Sequence, residues 1–211
     1  AHPQPGLVIV EVSTFPIEAK EVARDRLAAA GMTLLDCPLS GTGAQAVTKD
    51  LAVYASGDEG AFGQCRAMFD GFARATHYLG AFGNGSRMKF VANLLVAVHN
   101  VAAAEAIVLG TKAGLDPDRI LEVIGSGAGT SRIFELRGPM MAKGVYTPPT
   151  ATMHVLEKDS GIIAEFARSL GVDTPTLDAA APLYGEAEKA GYAQEDVAAV
   201  HAVLARRAGL T

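Results

Sequence analysis

The chain of 211 residues contains no tryptophan, only 13 other aromatic residues and two cysteines. So few large rings beside 38 alanines suit closely packed helices better than a β-sandwich, and helix is expected to dominate. Two cysteines, Cys37 and Cys65, make no disulfide framework in a chain this long and show no metal-ligand spacing, which points to a reduced, cytoplasmic protein. Basic charge is scarce as well. With 18 Lys and Arg against 23 Asp and Glu the formal charge is −5, so nothing is left over for a phosphate backbone and no nucleic-acid partner is expected. The most apolar stretch, residues 90–110, is interrupted by Asn93, His99, Asn100 and Glu105, so it reads as a buried helix and no membrane association is expected. The opening residues lack a basic segment followed by an apolar one, so no secretory signal is expected. His2, His77, His99, His154 and His201 share no spacing that suggests a metal site or a catalytic triad.

What is present is enough for a core, at 49% hydrophobic and 19% charged residues. The first third alternates in type. Residues 7–12 are a β-branched apolar run that reads as a buried strand, and Pro16 opens a helix through residue 30 that Gly31 ends. A strand at 32–36, a Pro-Leu-Ser-Gly-Thr-Gly loop, a strand at 51–55, a helix at 59–72 and a short strand at 76–79 follow. From residue 83 onward only helical patterns occur, near 86–113, 117–124, 131–142, 152–170, 175–190 and 194–208. The expected fold is α/β followed by all-α: a partial Rossmann-like sheet in residues 1–82, then a helical domain in residues 83–211. An α/β piece of roughly 80 residues is small for a doubly wound domain, so further N-terminal sequence is expected to complete it.

Four places could carry chemistry. Lys89 stands in the first two turns of the long helix, where the dipole disfavours a cation, and Asn93 shares its face at i+4 with Asn100 roughly below. That stripe reads either as a general acid/base whose pKa burial and the dipole would lower, with Asn93 fixing a substrate oxygen, or as a snorkelling Lys and helix-joining amides. Asp36-Cys37-Pro38-Leu39-Ser40-Gly41-Thr42-Gly43 ends a strand in a turn whose successive amides suit a carboxylate, although a plain turn is the commoner outcome. Within it Gly41-x-Gly43-x-x-Ala46 matches a dinucleotide fingerprint only superficially, because the strand at Leu51 leaves no room for a crossover helix. Ser13-Thr14 follow the first strand, where ligands of open α/β sheets bind, but also where helix caps sit. Glu157-Lys158-Asp159 alone reads as a solvated charge cluster, and Cys37 as a buried inert thiol rather than a reactive one.

Taken in order, these segments resemble the β-hydroxyacid dehydrogenases, the family of 3-hydroxyisobutyrate dehydrogenase and tartronate semialdehyde reductase. Val12-Ser13-Thr14-Phe15-Pro16 looks like the family's hydroxyl pair after a cofactor-domain strand, and Asp36-Cys37-Pro38-Leu39-Ser40-Gly41-Thr42 resembles its D-A-P-V-S-G-G substrate motif. Gly83-x-Gly85-x-x-x-Lys89-x-x-x-Asn93 is similar to the catalytic motif, Lys158-Asp159 matches the K-D pair, and Tyr184, Gly191-Tyr192 and Asp196 fit the closing helices. The resemblance implies hydride transfer between a small 3-hydroxy acid and NAD or NADP. It implies Lys89 as the acid/base, Ser40, Gly41, Thr42 and Asn93 as substrate contacts, and Thr14 and Lys158 as cofactor contacts. The family's front half, with its G-x-G-x-x-G loop, has no counterpart here.

Three positions depart from that pattern. Thr42 stands where a second glycine is usual, Cys37 where alanine is usual, and Ala151 where an aromatic often precedes the K-D lysine by seven residues. Two other readings remain: a non-catalytic helical assembly module forming a homo-oligomer through the Ala-rich helix, and a decarboxylating dehydrogenase of sugar-acid phosphates, for which Arg206-Arg207 is the feature to note. Lys89 argues against imine reductases and chromatin-associated relatives, which commonly lack that lysine.

Overall fold

Val8, Ile9 and Val10 are stiff, β-branched side chains that pack well on a pleated surface, and Val8–Glu11 forms strand β1. The computed structural model describes residues 4–210, so His2 lies outside the described residues. It divides into two units, residues 1–92 and 93–211.

In the first unit β1 is followed by helix α1 (Ile17–Ala29), β2 (Thr33–Asp36), β3 (Leu39–Ser40), α2 (Gly43–Val47), β4 (Leu51–Ala55), α3 (Glu59–Phe72) and β5 (Ala73–Tyr78). β1 and β2 are parallel, with Val8 opposite Thr33 and Glu11 opposite Asp36, and β4 and β5 are parallel as well. β3 runs antiparallel to β4, Leu39 facing Val53. Asp36 and Ser56 exchange backbone bonds of 3.0 and 2.8 Å, and the Tyr54 amide donates to the Pro38 carbonyl at 3.1 Å, in the same antiparallel register. β1 and β2 form one sheet and β3, β4 and β5 a second, mixed one; the Asp36–Ser56 bridge joins them in the β3–β4 register across Pro38, which has no amide to give.

The α/β character follows the sequence, whereas β3 falls inside the segment expected to be a loop and α2 follows it, where no element is expected. Their antiparallel connection to β4, without a crossover, agrees with setting aside the Gly41-x-Gly43-x-x-Ala46 match. Leu35, Val53, Ala55, Phe62 and Phe69 fill the core, with the Phe62 and Tyr78 rings stacked 4.9 Å apart. Cys37 belongs to that core, and burial pushes its thiol up to about 12, as expected of an inert cysteine.

Helix α4 (Asn84–Lys112) begins in the first unit and continues into the second. The expected boundary at 82/83 coincides with the turn before it, while the division at 92/93 leaves its first two turns with the strands. The second unit adds α5 (Pro117–Gly125), α6 (Arg132–Lys143), α7 (Met153–Ser169), α8 (Pro175–Ala187) and α9 (Val200–Arg207). Local rules account for their starts: Asp116 accepts from the Arg119 amide with Pro117 at the first helical position, and Ser131 accepts from Phe134. The expected helix at 194–208 is shorter because Asp196 is extended and caps a 3-10 turn at Val197–Ala199.

Asp196 is wholly buried. Its carboxylate accepts from Arg137 Nε (3.2 Å), the Thr150 amide and hydroxyl (2.8 and 2.7 Å) and the Ala198 amide (3.0 Å), which pins residues 150–151 to α6. Burial acts to raise its pKa, but the Ala198 amide, Arg137 and Thr150 outweigh it and hold the carboxyl below its ordinary value.

By length and composition α4 could cross a membrane. Polar groups of α4 find partners within the second unit: the Asn100 side-chain amide donates to the Val197 carbonyl at 2.8 Å, and the Ala97 carbonyl accepts from the Tyr184 hydroxyl at 2.6 Å. The expectation of a buried helix at residues 90–110 holds for only part of its surface, which Phe90, Ala97, Val101, Ala104 and Ile107 bury. Met88, Val91, Leu95 and Leu109 are exposed, because the packing on α4 covers only part of its circumference.

Candidate active site

The first turn of α4 is fastened to the ends of two strands. Asp36, at the end of β2 and wholly buried, accepts from the Ser86 amide at 2.8 Å and from the Ser86 hydroxyl at 2.8 Å. The Gly85 amide donates to Ser56 Oγ at 2.9 Å, and Ser56 in turn reaches Asp36. A carboxylate at the positive end of a helix is favourable, and here it satisfies orphan amides as well. Only glycine fits at position 85: a Cβ there would stand 2.2 Å from the Tyr54 carbonyl oxygen and 2.6 Å from that of Asp36.

Asp36 also takes a hydrogen bond from Lys20 Nζ at 2.9 Å, and Lys20 is 3% exposed. The same ammonium donates to the Ser13 carbonyl at 2.7 Å and pairs with Glu11 at 2.5 Å. Lys89 is half-buried and lies three residues beyond Ser86, on the same side of α4 and one turn further along. The acid/base candidate thus stands on a helix start that cannot easily slide.

The turn at residues 40–43 offers less than the expected row of successive amides. Ser40 occupies the paired register with Ala52, as Asp36 does with Ser56, which directs its amide into the ladder. The Thr42 amide donates to Gln45 Oε1 at 3.0 Å. The Gly41 amide and the Ser40 hydroxyl are then the groups the turn can offer a ligand, together with the proton of the Thr42 hydroxyl, whose oxygen faces the Gln45 amide in a capping box. Gly41 sits at φ +118° with Leu51 packed where a Cβ would be, so a side chain is excluded there too.

In the second unit Asn93 Nδ2 donates to Asp159 Oδ2 at 2.8 Å, and Lys158 Nζ lies 2.9 Å from Asp159 Oδ1. Asn93 and Lys158, both singled out in sequence, therefore meet at the buried carboxylate of Asp159, with Lys158 itself exposed. Thr14 is half-buried in the loop beyond the carboxyl end of β1. Thr14 in the first unit offers an alcohol and Lys158 in the second an ammonium, each by itself a donor of the kind that the oxygens of a dinucleotide accept from. Among the described residues no group of three or more His, Cys, Asp or Glu could hold a metal ion.

Sequence reasoning missed Lys20, Ser56 and Ser86, and quoted Asp36 without giving it work. Lys20 looks like any charge on a polar helix, and its partners lie seven to 16 residues away in sequence. The Gly85-Ser86 pair at a helix start was the one available signal.

A family model described as the NAD-binding domain of NADP-dependent 3-hydroxyisobutyrate dehydrogenase matches residues 83–204, more than half of the chain. The chain belongs to the β-hydroxyacid dehydrogenase family. A second model, the NAD binding domain of 6-phosphogluconate dehydrogenase, matches residues 1–80. Among its relatives in the β-hydroxyacid dehydrogenase family, L-threonate dehydrogenase of Cupriavidus necator is 37% identical over 93% of this chain and 66% of its own. The chain spans about two thirds of the length of the curated relatives it matches. A solved 3-hydroxyisobutyrate dehydrogenase from Salmonella typhimurium superposes with a TM-score of 0.89 at 32% identity, covering 95% of this chain and 70% of that one. The 3-hydroxyisobutyrate dehydrogenase of Mycobacterium tuberculosis, solved with L-serine, gives 0.84 at 26% identity, covering 95% and 71%.

Proposed function

We propose that this chain is the catalytic and substrate-binding portion of an NAD- or NADP-dependent dehydrogenase of small 3-hydroxy acids. The observation that carries the reading is Lys89, one turn beyond a serine whose amide and hydroxyl are both held by Asp36. Bound NAD(P) supplies the hydride acceptor. Neutral Lys89 takes the hydroxyl proton as the substrate carbon is oxidised, and protonated Lys89 returns it in reduction. The Gly41 amide, with the Ser40 and Thr42 hydroxyls, receives the substrate carboxylate. Asn93, its amide turned by Asp159, orients the hydroxyl-bearing carbon, while Thr14 and Lys158 contact the cofactor.

Support for this class of substrate comes from the relatives' names, which specify L-threonate and 3-hydroxyisobutyrate, and from the L-serine bound to one of them. These three compounds form the first panel to assay. Lys89→Ala in the full-length protein should lower kcat by about 10²- to 10⁴-fold while leaving the dinucleotide dissociation constant within a few-fold. A near-normal kcat refutes the role given to Lys89.

The same reading makes the protein a cytoplasmic homo-oligomer joined through its helical part. Leu95 and Leu109 on α4 are exposed apolar side chains suited to a second copy. A mass by light scattering that stays monomeric at micromolar concentration removes that part of the proposal.

A further inference from the structure

We infer that Lys20 is a positioning residue that couples the loop carrying Thr14 to the helix start carrying Lys89. The inference rests on the functional reading above and adds a residue to it. On α1 only Ile17 and Lys20 are buried, so the helix turns one charged side chain inward among its few core contacts. A buried ammonium is costly unless it is paired and hydrogen-bonded; Lys20 Nζ donates to the Ser13 carbonyl at 2.7 Å and to Asp36 Oδ1 at 2.9 Å, and forms an ion pair with Glu11 Oε2 at 2.5 Å. Those partners come from three different segments, the end of β1, the loop after it and the end of β2.

Each contact has a mechanical consequence. The Ser13 carbonyl lies in the rigid peptide plane that also contains the Thr14 amide, so Lys20 fixes the plane from which Thr14 springs. Glu11 Oε1 accepts from the Ser13 amide at 2.7 Å, which grips the same residue from its other side. Asp36 carries the connection onward, since the carboxylate that pairs with Lys20 also accepts from the Ser86 amide and hydroxyl. Two carboxylates then face one ammonium and the positive end of α4, a balance in which neither positive group is redundant. A lysine that merely stabilised the sheet would need none of this connection to the loop and the helix at once.

The test is a double-mutant cycle in the full-length protein, with kcat and the KM for dinucleotide measured for Lys20→Met, Thr14→Ala and the pair. Lys20→Met should raise the dinucleotide KM and lower kcat, each by about tenfold or more, because misplacement of the order of 1 Å has effects of that size. Thr14→Ala should raise the dinucleotide KM in the parent and add little in the Lys20→Met background, since residues that act through one another are not additive. If Thr14→Ala raises KM and the two effects multiply, the coupling is wrong while the functional reading stands. If Thr14→Ala alone leaves KM unchanged, the cofactor contact falls and this inference with it. A purely structural Lys20 would reduce the active fraction, and so the apparent kcat, at an unchanged KM, which also overturns the inference. Should Lys20→Met fail to fold, Glu11→Gln removes one arm of the grip from a partly exposed position. It should raise the dinucleotide KM several-fold, again without adding to Thr14→Ala, and full multiplication overturns the coupling.

Discussion

Gly85→Ala sets two effects of opposite sign against each other. Alanine at a helical position is favoured over glycine by about 1 kcal/mol, so on propensity alone the variant should be more stable. Packing argues the reverse. The new methyl would lie 2.2 Å from the Tyr54 carbonyl oxygen and 2.6 Å from that of Asp36, and both are strand backbone that cannot rotate away. Ordinary carbon-to-oxygen contacts begin at about 3.3 Å, so the helix start must retreat by roughly 1 Å. That displacement stretches the Gly85–Ser56 bond and both Ser86–Asp36 bonds beyond useful length. Strain of about 1–3 kcal/mol and two bonds to a buried carboxylate at about 1.5–3 kcal/mol each, less partial relaxation, give a net loss of about 3–6 kcal/mol. Urea unfolding followed by circular dichroism measures it, and Tm should fall by at least roughly 6 °C. Gly63→Ala in α3 is the control, because nothing lies within 4 Å of its added Cβ, and it should be neutral or up to about 1 kcal/mol more stable. A Gly85→Ala protein within about 1 kcal/mol of the parent would mean that the helix start is not seated as described.

Two further outcomes follow from buried groups. Asp196→Asn should destabilise by about 3–5 kcal/mol in urea titrations, since Arg137 is left buried without its counter-charge. Because the Asp196 carboxyl is held below its ordinary value, its contribution is complete above an unfolded pKa near 3.9 and is lost as pH falls through the folded value. The parent's unfolding midpoint should therefore drop steeply below about pH 4, and the Asn variant should show a shallower fall. In labelling with iodoacetamide at pH 8, Cys65 should react in the native protein and Cys37 only after unfolding, as its thiol is pushed up to about 12 by burial. Peptide mass mapping that finds Cys37 modified at the native rate of Cys65 contradicts the core placement.

The helices of the second unit were readable because their ends are written locally. Asp116-Pro117 opens α5 and Gly144, at φ +63°, closes α6, each within one turn of the residues it governs. β3 and α2 escaped because two and five residues are too few for a period to show, and β3 exists only by pairing with β4 across the Thr42–Gln45 cap. The site divided along the same line. Lys89, Asn93 and Lys158 stood out because polar groups in apolar or motif-bearing segments are conspicuous. Lys20 did not, since a lysine on a polar helix is ordinary until its carboxylates are found 9 and 16 positions away. Asn93 could be suspected, but its tie to Asp159, 66 residues on, is a fact of tertiary packing alone.

Because the first turn of α4 rests on residues from two different strands, it has no seat until β2 and β4 lie side by side. Refolding should accordingly proceed from sheet to helix in this region: Ser86 and Gly85 must wait for Asp36 and Ser56, 50 and 29 residues earlier in the chain, to be brought together. Catalytic competence would then be among the last properties regained after dilution from denaturant, trailing the recovery of bulk helicity.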